Sequence, residues 1–211
     1  MPDGLGEDEA VVPSAERPQL VRHLLDGFRV VGVTLVDGPP QLLLHRRKDA
    51  VPVEASDDPG PPLEVAIERW VRPLPDDVLA AVEGIHQVAF GEAPGRIYPW
   101  LQERPGATCF VARHEGRVVG FKFGAELAPA RHHSHEGGVL PAVRRRGVAR
   151  TLMEAQHAWA RSWGAKAITT NTMNDFLPML LLNLSVGFEV RGVEAVGDQV
   201  KLRLWKRLGP E

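Results

Sequence analysis

Apolar positions recur at helical spacing over residues 147–163, and this is the strongest pattern in the chain. The apolar side chains there lie three or four positions apart and form one stripe, as in a helix that packs one face on a core. Gly164 follows at the position expected for a helix C-cap. Shorter helices are predicted at 19–25, from Pro75 to 89, within 94–104 and at 174–186.

Strands are predicted from alternating or continuous apolar runs that end at Gly, Pro, Asn or Asp. Turns at residues 37–40 and 115–116 predict two hairpins. From residue 63 onward the elements follow the order β-α-α-β-β-β-α-β-α-β-β, which predicts an α/β sheet of mixed direction. The predicted strands cover residues 28–36, 41–45, 63–71, 107–114, 117–126, 132–140, 165–170, 187–190 and 199–206.

Composition divides the chain into three parts. Residues 1–18 are rich in Gly, Pro, Ser and acidic residues, and we expect them to be disordered. Residues 19–62 combine a short helix and a β-hairpin with a linker over 51–62 that carries prolines and acids. Residues 63–207 hold the remaining elements, and we expect them to form one domain.

Charge and apolar content exclude several classes of function. The 211 residues carry a formal net charge of −2, so no strong positive field attracts nucleic acid or an anionic membrane. The longest apolar stretch, Phe176–Leu182, is too short to span a bilayer, and the acidic N-terminus does not resemble a signal peptide. The single cysteine, Cys109, lies in an apolar run. We therefore expect a cytoplasmic protein in which Cys109 is a small buried side chain.

A short apolar run, a basic turn and a helix follow one another over residues 139–150. The first N–H groups of a helix lack partners within it, and the helix dipole adds partial positive charge there. Gly147 lets a phosphate approach the backbone, while Arg144, Arg145 and Arg146 supply charge and paired donors. This arrangement predicts a site for an anion, and a diphosphate in particular. A solvated turn without a ligand is the alternative, and a nucleic-acid patch would need interleaved aromatic residues.

Two motifs, R-x-x-G-x-A at 144–149 and N-x-x-x-G-F at 183–188, stand in this order of elements and resemble the GNAT superfamily of acetyl-CoA-dependent N-acetyltransferases over residues 63–207. The resemblance implies an α/β (α+β) fold with a mostly antiparallel central sheet flanked by helices, to which the hairpin is an N-terminal extension. It also implies that the turn holds the coenzyme A pyrophosphate, and that the strand before it pairs with the pantetheine arm. The residues assigned to acetyl-CoA in this way are Gly138, Val139, Leu140, Arg144, Arg145, Arg146, Gly147, Val148, Ala149, Arg150, Thr151, Asn174 and Asn183.

The chemistry that the resemblance implies is acyl transfer from a thioester to a primary amine of a small molecule or a peptide. The amine attacks directly, without a covalent enzyme intermediate, and needs no metal. A backbone N–H of Val139 or Leu140 would hydrogen-bond the thioester carbonyl oxygen. The positioning of an amine that is already neutral can supply much of the rate.

A proton acceptor is expected near the strand over 132–140. Glu136 is the first candidate, with His133 and His135 behind it and Glu126 as a further alternative. The simpler interpretation of Glu136 is an exposed or ion-paired strand residue. Period-two alternation predicts that His133 and His135 share one face of the strand.

The position of the catalytic acid departs from the family pattern. Many members have a tyrosine four residues before the Gly-Phe glycine, where its hydroxyl can protonate the leaving thiolate. This chain has Asn183 there, and an asparagine can donate a hydrogen bond but no proton at neutral pH. Either Asn183 stabilises the sulfur or the pantetheine arm, or water or Ser185 contributes, or the acid is dispensable. Asn174 is expected as the N-cap of the helix over 174–186 and as a contact of coenzyme A.

The acceptor groove is expected between residues 85–104 and the strand over 132–138. Arg96, Tyr98, Trp100 and Arg104 would suit a polar or anionic acceptor there.

The alternative function is a non-catalytic acyl-CoA-binding or regulatory module of the same fold, because the tyrosine is missing. A metal site at residues 132–135 is not expected, because no carboxylate or cysteine joins these histidines at ligand spacing. The sequence is compatible with a homodimer.

Overall fold

The computed structural model describes residues 9–34, 40–46, 60–91, 99–100, 103–104 and 106–209. Several expectations lie outside these residues: the tip of the first hairpin, most of the linker, most of the segment 94–104, and the side chains of Arg96 and Tyr98. Within the described residues, no helix combines the length and apolarity that a membrane crossing requires.

The described chain forms four α-helices and ten strands. The helices are α1 (Arg17–Leu25), α2 (Asp76–Phe90), α3 (Val148–Ser162) and α4 (Leu177–Ser185). The strands are β1 (Glu9–Pro13), β2 (Phe28–Thr34), β3 (Gln41–Arg46), β4 (Ala66–Val71), β5 (Thr108–His114), β6 (Arg117–Ala128), β7 (Arg131–Val139), β8 (Ala167–Met173), β9 (Glu189–Val196) and β10 (Gln199–Arg207). A short 3-10 helix, Pro141–Val143, follows β7. The predicted mixed α/β class is confirmed.

The chain divides into two compact units that interleave along the sequence. We call Asp58–Ile168 with Arg207–Glu211 the central unit, and Met1–Asp57 with Thr169–Lys206 the terminal unit. The sequence-based division instead consists of three consecutive segments with boundaries at 18/19 and 62/63. The N-terminal segment is grouped here with the last strands of the chain.

The central unit is built on four antiparallel strands in the order β4-β5-β6-β7. Because side chains alternate along a strand, β5 contributes to a separate apolar cluster on each face. Cys109 and Val111 pack with α2 and with Phe121 and Phe123 of β6. On the opposite face, the cluster formed with α3 contains Phe110, Ala112, Val119, Val148 and Leu152. The two helices thus cover opposite faces of the same sheet.

Cys109 confirms its prediction as a buried side chain. No part of the residue is exposed, and burial raises the pKa of its thiol to about 12. A thiol in that state is protonated at neutral pH and is a poor nucleophile.

The terminal unit contains a three-stranded antiparallel sheet in the order β1-β3-β2, so the predicted hairpin is confirmed as the β2–β3 pair. The disorder predicted up to residue 18 is wrong for its described part. Strand β1 pairs with β3 from Glu9 to Pro13, and Val12 is fully buried. Strand β1 lies between an acidic segment and a Pro-Ser stretch, and its partner β3 follows only after α1 and β2 in the sequence.

Asn174 does not cap the fourth helix, so that prediction is wrong. Helix α4 has Phe176 at its N-cap position and no side-chain cap hydrogen bond. The Asn174 side chain instead donates from Nδ2 to the Val30 carbonyl oxygen of β2, at 2.9 Å. Asn174 is 6% exposed, so this bond is shielded from water.

Replacing Asn174 with Ala should destabilise the protein by about 1–3 kcal/mol, because it leaves a buried carbonyl without its donor. The measurement is urea unfolding of both proteins. Asn171→Ala is the control, because Asn171 is exposed on β8 and its loss should change stability by less than about 0.5 kcal/mol. Equal effects of the two substitutions would contradict a specific role of the Asn174 bond.

His132 makes stability depend on pH. It is fully buried on the α3 side of β7, with its ring 5.3 Å from that of Trp159. Burial first, and then His133 and Lys122, lower its pKa from 6.5 to about 3. The folded state therefore binds fewer protons than the unfolded state, so stability is greatest above pH 6.5 and is lost as the pH falls toward 3.

Between pH 7 and pH 5, His132 should remove about 2 kcal/mol from the unfolding free energy. Urea unfolding at a series of pH values measures this slope. His132→Gln, which cannot titrate, should show a flatter curve whatever its stability at pH 7. An unchanged slope in that variant would show that His132 is not the group responsible.

Candidate active site

Gly147 sets the conformation of the basic turn between β7 and α3. Its φ of 85° lies in the left-handed region that favours glycine, and Arg145 also has a positive φ, 63°. A Cβ atom built at Gly147 would meet no atom within 4 Å. The glycine is therefore required by the backbone and not by crowding. It leaves open space directly at the start of the helix.

Two of the three arginines are anchored to the main chain around this turn. Arg144 donates from Nε to the Val139 carbonyl oxygen at 3.1 Å, and Arg146 donates from Nε to that of Pro61 at 3.2 Å. The Arg146 carbonyl oxygen in turn accepts the N–H of Leu63 at 2.9 Å. Each side-chain bond uses only Nε, and a guanidinium carries four further N–H donors. The anchors thus fix the direction of the side chains while preserving their ability to bind an anion.

The N-terminus of α3 has no side-chain cap. The 15-residue helix begins at Val148, and its first-turn N–H groups point out along the helix axis. Thr151 closes the turn by donating its N–H, at 3.0 Å, and its hydroxyl, at 3.3 Å, to the Gly147 carbonyl oxygen. The dipole of a helix of this length adds partial positive charge where the three arginines already lie.

The N–H groups of Val139 and Leu140, both predicted as donors to the thioester carbonyl oxygen, point in opposite directions. Leu140 donates its N–H to the Val119 carbonyl oxygen of the neighbouring chain segment at 3.0 Å. It is therefore not available to a thioester, and this alternative is wrong. In an antiparallel ladder successive N–H groups point to opposite edges, so the N–H of Val139 is turned away from β6.

Gly138 has a packing role of its own. A Cβ atom there would lie 3.0 Å from Phe121 and 3.3 Å from both Ala89 and Ile85. The glycine therefore lets α2 approach the strand closely, and this requirement exists whether or not coenzyme A is bound.

A β-bulge at His135 decides which side chains of β7 share a face. Phe123 of β6 lies opposite Glu136, while the next residue, Gly124, lies opposite Ser134, so His135 is the extra residue. Regular alternation would separate Glu136 from His135. The bulge instead brings Glu136 to the α2 side, where His133 and His135 also lie, with their rings 5.9 Å apart. The prediction that these two histidines share a face is confirmed.

Glu136 contacts a buried histidine that sequence reasoning missed. His86 of α2 places Nε2 3.3 Å from Oε1 of Glu136. A signal was present, because His86 directly follows Ile85 in the apolar stripe of that helix. A polar residue in such a position invites the question of what it contacts. The other carboxylate candidate, Glu126, accepts the Ala130 N–H at 3.2 Å and so stabilises the β6–β7 turn.

An aromatic stack lies beside the bulge. The Trp100 ring stacks on His135 at 4.2 Å with an interplanar angle of 12°, and the Arg104 guanidinium lies 4.8 Å from the Trp100 ring centre. Burial first lowers the pKa values of both His133 and His135 to about 4, with further effects from Lys122 and Arg104. Both histidines are therefore neutral at physiological pH.

Across the described ranges, no three His, Cys, Asp or Glu side chains lie close enough together to hold a metal ion.

The asparagines predicted as site residues belong to the terminal unit. Asn183 of α4 is 1% exposed, and its Oδ1 has no hydrogen-bond partner within the described residues. Its carbonyl oxygen accepts the N–H of Phe188 at 3.0 Å, which ties the end of the helix to the Gly-Phe element. Ser185 donates its hydroxyl back to the Leu182 carbonyl oxygen at 2.8 Å.

Solved acetyltransferase structures share this fold. The ribosomal-protein-S18-alanine N-acetyltransferase from Escherichia coli matches with a TM-score of 0.58 and 15% identity, over 69% of this chain and 96% of that one. An aminoglycoside 6'-N-acetyltransferase complexed with coenzyme A matches at 0.60 and 14%, over 69% and 98%. A GNAT family acetyltransferase from Elizabethkingia anophelis with acetyl-CoA bound matches at 0.55 and 11%, over 68% and 97%. At such identities the likeness shows the fold alone.

Sequence comparison assigns the family. No curated protein sequence matches the chain significantly. A family model described as the acetyltransferase (GNAT) family matches residues 76–188, from the start of α2 to the Gly-Phe element. Because this match spans more than half of the sequence, the chain belongs to the GNAT family of acetyltransferases.

Proposed function

We propose that this protein transfers the acetyl group of acetyl-CoA to a primary amine of a small-molecule or peptide acceptor. The observation that carries the proposal is the open turn at Gly147, which meets the uncapped N-terminus of α3 beside three arginines. Family membership supports the same donor. Because a diphosphate needs both positive charge and close access to backbone N–H groups, this turn fits the pyrophosphate of coenzyme A.

The residues proposed to hold coenzyme A follow the chain from β7 into α3. Val139 faces the thioester end of the pantetheine arm, because its N–H is turned away from β6. Residues 147–150 offer the first-turn N–H groups, because the N–H of Thr151 is already bound to the Gly147 carbonyl oxygen. The guanidinium groups of residues 144–146 and of Arg150 neutralise the phosphates. Asn174 is not part of this proposal, because its Nδ2 already binds Val30.

Acetyl-CoA supplies an activated acyl group, and the residues of this chain arrange its transfer. The Val139 N–H donates to the thioester carbonyl oxygen, where negative charge grows as the amine attacks. Glu136 accepts the proton of the acceptor amine, directly or through water. His133 is half-buried, His135 is exposed, and both are neutral, so they border the acceptor site as hydrogen-bonding and aromatic surface.

The coenzyme A thiolate must leave without the tyrosine that would protonate it in many members of the family. We propose that Asn183 acts through its amide as a hydrogen-bond donor and not as an acid, because an amide has no proton to give at neutral pH. Protonation of the sulfur then falls to water. Ser185 is a poor alternative, because its hydroxyl is engaged with Leu182.

A non-catalytic acyl-CoA-binding module is the second candidate function, and the asparagine at position 183 favours it. Both functions require coenzyme A binding, which should raise the melting temperature. Only the enzyme should release free thiol from acetyl-CoA when a library of amines is offered. Stabilisation without turnover across the library would favour the module, and the absence of stabilisation would contradict both.

Gly147→Glu should weaken coenzyme A binding by about tenfold or more, because its carboxylate opposes the diphosphate at the helix start. Calorimetric titration measures the dissociation constant. The matched control is Gly164→Glu at the other end of α3, where the glycine also has a positive φ, 94°, and open space around it. Both variants carry the same charge and backbone strain, so equal losses would contradict a site at residue 147.

Glu136→Gln should lower kcat by about 10²-fold or more and leave the dissociation constant of coenzyme A unchanged, because the amide cannot accept a proton. Steady-state thiol release with an accepted amine measures kcat. Glu154→Gln, at an exposed position on α3, is the control and should keep full activity. Full activity of Glu136→Gln would remove Glu136 from the mechanism.

A further inference from the structure

His86 is a histidine placed in an apolar environment. It lies on the buried face of α2, is 3% exposed, and packs its ring 4.9 Å from Phe90 and 6.4 Å from Phe121. Its Nε2 lies 3.3 Å from Oε1 of Glu136, whose side chain is 28% exposed. A nearly water-free imidazole thus contacts a carboxylate that still reaches solvent.

We propose that His86 is the positioning residue for Glu136, donating a hydrogen bond from Nε2 to Oε1 so that the carboxylate faces the acceptor amine in one orientation. This inference rests on the proposed function, in which Glu136 takes the proton of that amine. His86 itself touches no substrate in this arrangement.

The direction of the bond follows from the chemistry of the two groups. An ionised carboxylate is an acceptor only, so the proton between the two atoms belongs to Nε2 of the imidazole. A neutral histidine protonated at Nε2 meets this need without a second charge in the apolar interior. Helix α2 thereby fixes the tautomer of the ring and the rotamer of the glutamate together.

Other charged groups lie near the same face of β7. Lys122 of β6 and Glu136 attract each other electrostatically, and Arg104 acts on His133 and His135. His133 and His135 lie on the same face of β7 and are neutral at physiological pH. His86 of α2 contacts the Glu136 carboxylate through Nε2.

Two amide substitutions separate positioning from simple packing. The Nε2 of a glutamine lies about as far from the backbone as the Nε2 of histidine, whereas the shorter asparagine corresponds to Nδ1. His86→Gln therefore keeps a donor within reach of Glu136, and His86→Asn does not. Both are neutral, polar and smaller than histidine, so a loss of packing affects both.

We expect His86→Asn to lower kcat by about tenfold or more, since a catalytic group that is held out of position commonly costs that much. The KM of the amine and the dissociation constant of coenzyme A should stay within about twofold. The acid limb of the pH–rate profile should move to higher pH, because a hydrogen bond that stabilised the ionised carboxylate is gone. His86→Gln should restore kcat to within about threefold of the wild type, and the acid limb of its pH–rate profile should lie at the wild-type pH.

His157→Gln is the control for replacing a buried histidine, because His157 lies on α3 and is also nearly inaccessible to solvent. It should leave the pH–rate profile unchanged. If His86→Asn matches the wild type in kcat and in pH profile, the proposal is overturned. It is also overturned if both His86 variants lose kcat equally with no shift of the profile, because that result marks a structural role.

A readout without turnover separates this inference from the proposed function. Carbon-13 NMR of the Glu136 carboxyl group gives its titration midpoint, assigned by comparison with Glu136→Gln. The midpoint should rise in His86→Asn and return in His86→Gln, whether or not an accepted amine is known. An unmoved midpoint overturns the role of His86 alone, whereas failure of every amine to react contradicts the proposed function alone.

Discussion

The register of the β6–β7 ladder is the constraint on which the arrangement of the central unit depends. With one residue in excess at His135, Glu136 and His135 lie on the same face, although they are neighbours in sequence. The same ladder turns the Leu140 N–H to Val119 and leaves that of Val139 turned the other way. A strand without the bulge would present a different set of side chains to α2 and a different set to α3.

Gly124 shows how the chain accommodates this bulge. A Cβ atom at that position would clash with the His133 carbonyl oxygen and would lie 2.7 Å from Nε2 of His132. The two strands can therefore adopt this register only if residue 124 has no side chain. On the face of β7 that packs against α2, Gly138 allows the helix to approach closely, and His86 of that helix contacts Glu136. Two glycines thus make room for one contact between an imidazole and a carboxylate.

The basic turn depends on different physics. Its conformation needs a positive φ at two residues, its charge comes from adjacent arginines, and its donors are main-chain groups of one helix. None of these needs a distant partner, although Arg146 is held by Pro61.

The amino-acid sequence alone determined the basic turn, the hairpins, the long amphipathic helix and the family. All of these follow from patterns that are local in the sequence: R-x-x-G-x-A at 144–149, a glycine where φ is positive, and apolar side chains every three or four residues along α3. The tertiary structure alone decided which groups meet. In the structure His86 contacts Glu136, and the Leu140 N–H is bound to Val119 and so is not available to a thioester. Asn174 is hydrogen-bonded to Val30, and β1 forms a strand where disorder was expected. Each of these depends on the register or position of a partner far away in the chain, and neither hydrophobic period nor local propensity carries that information.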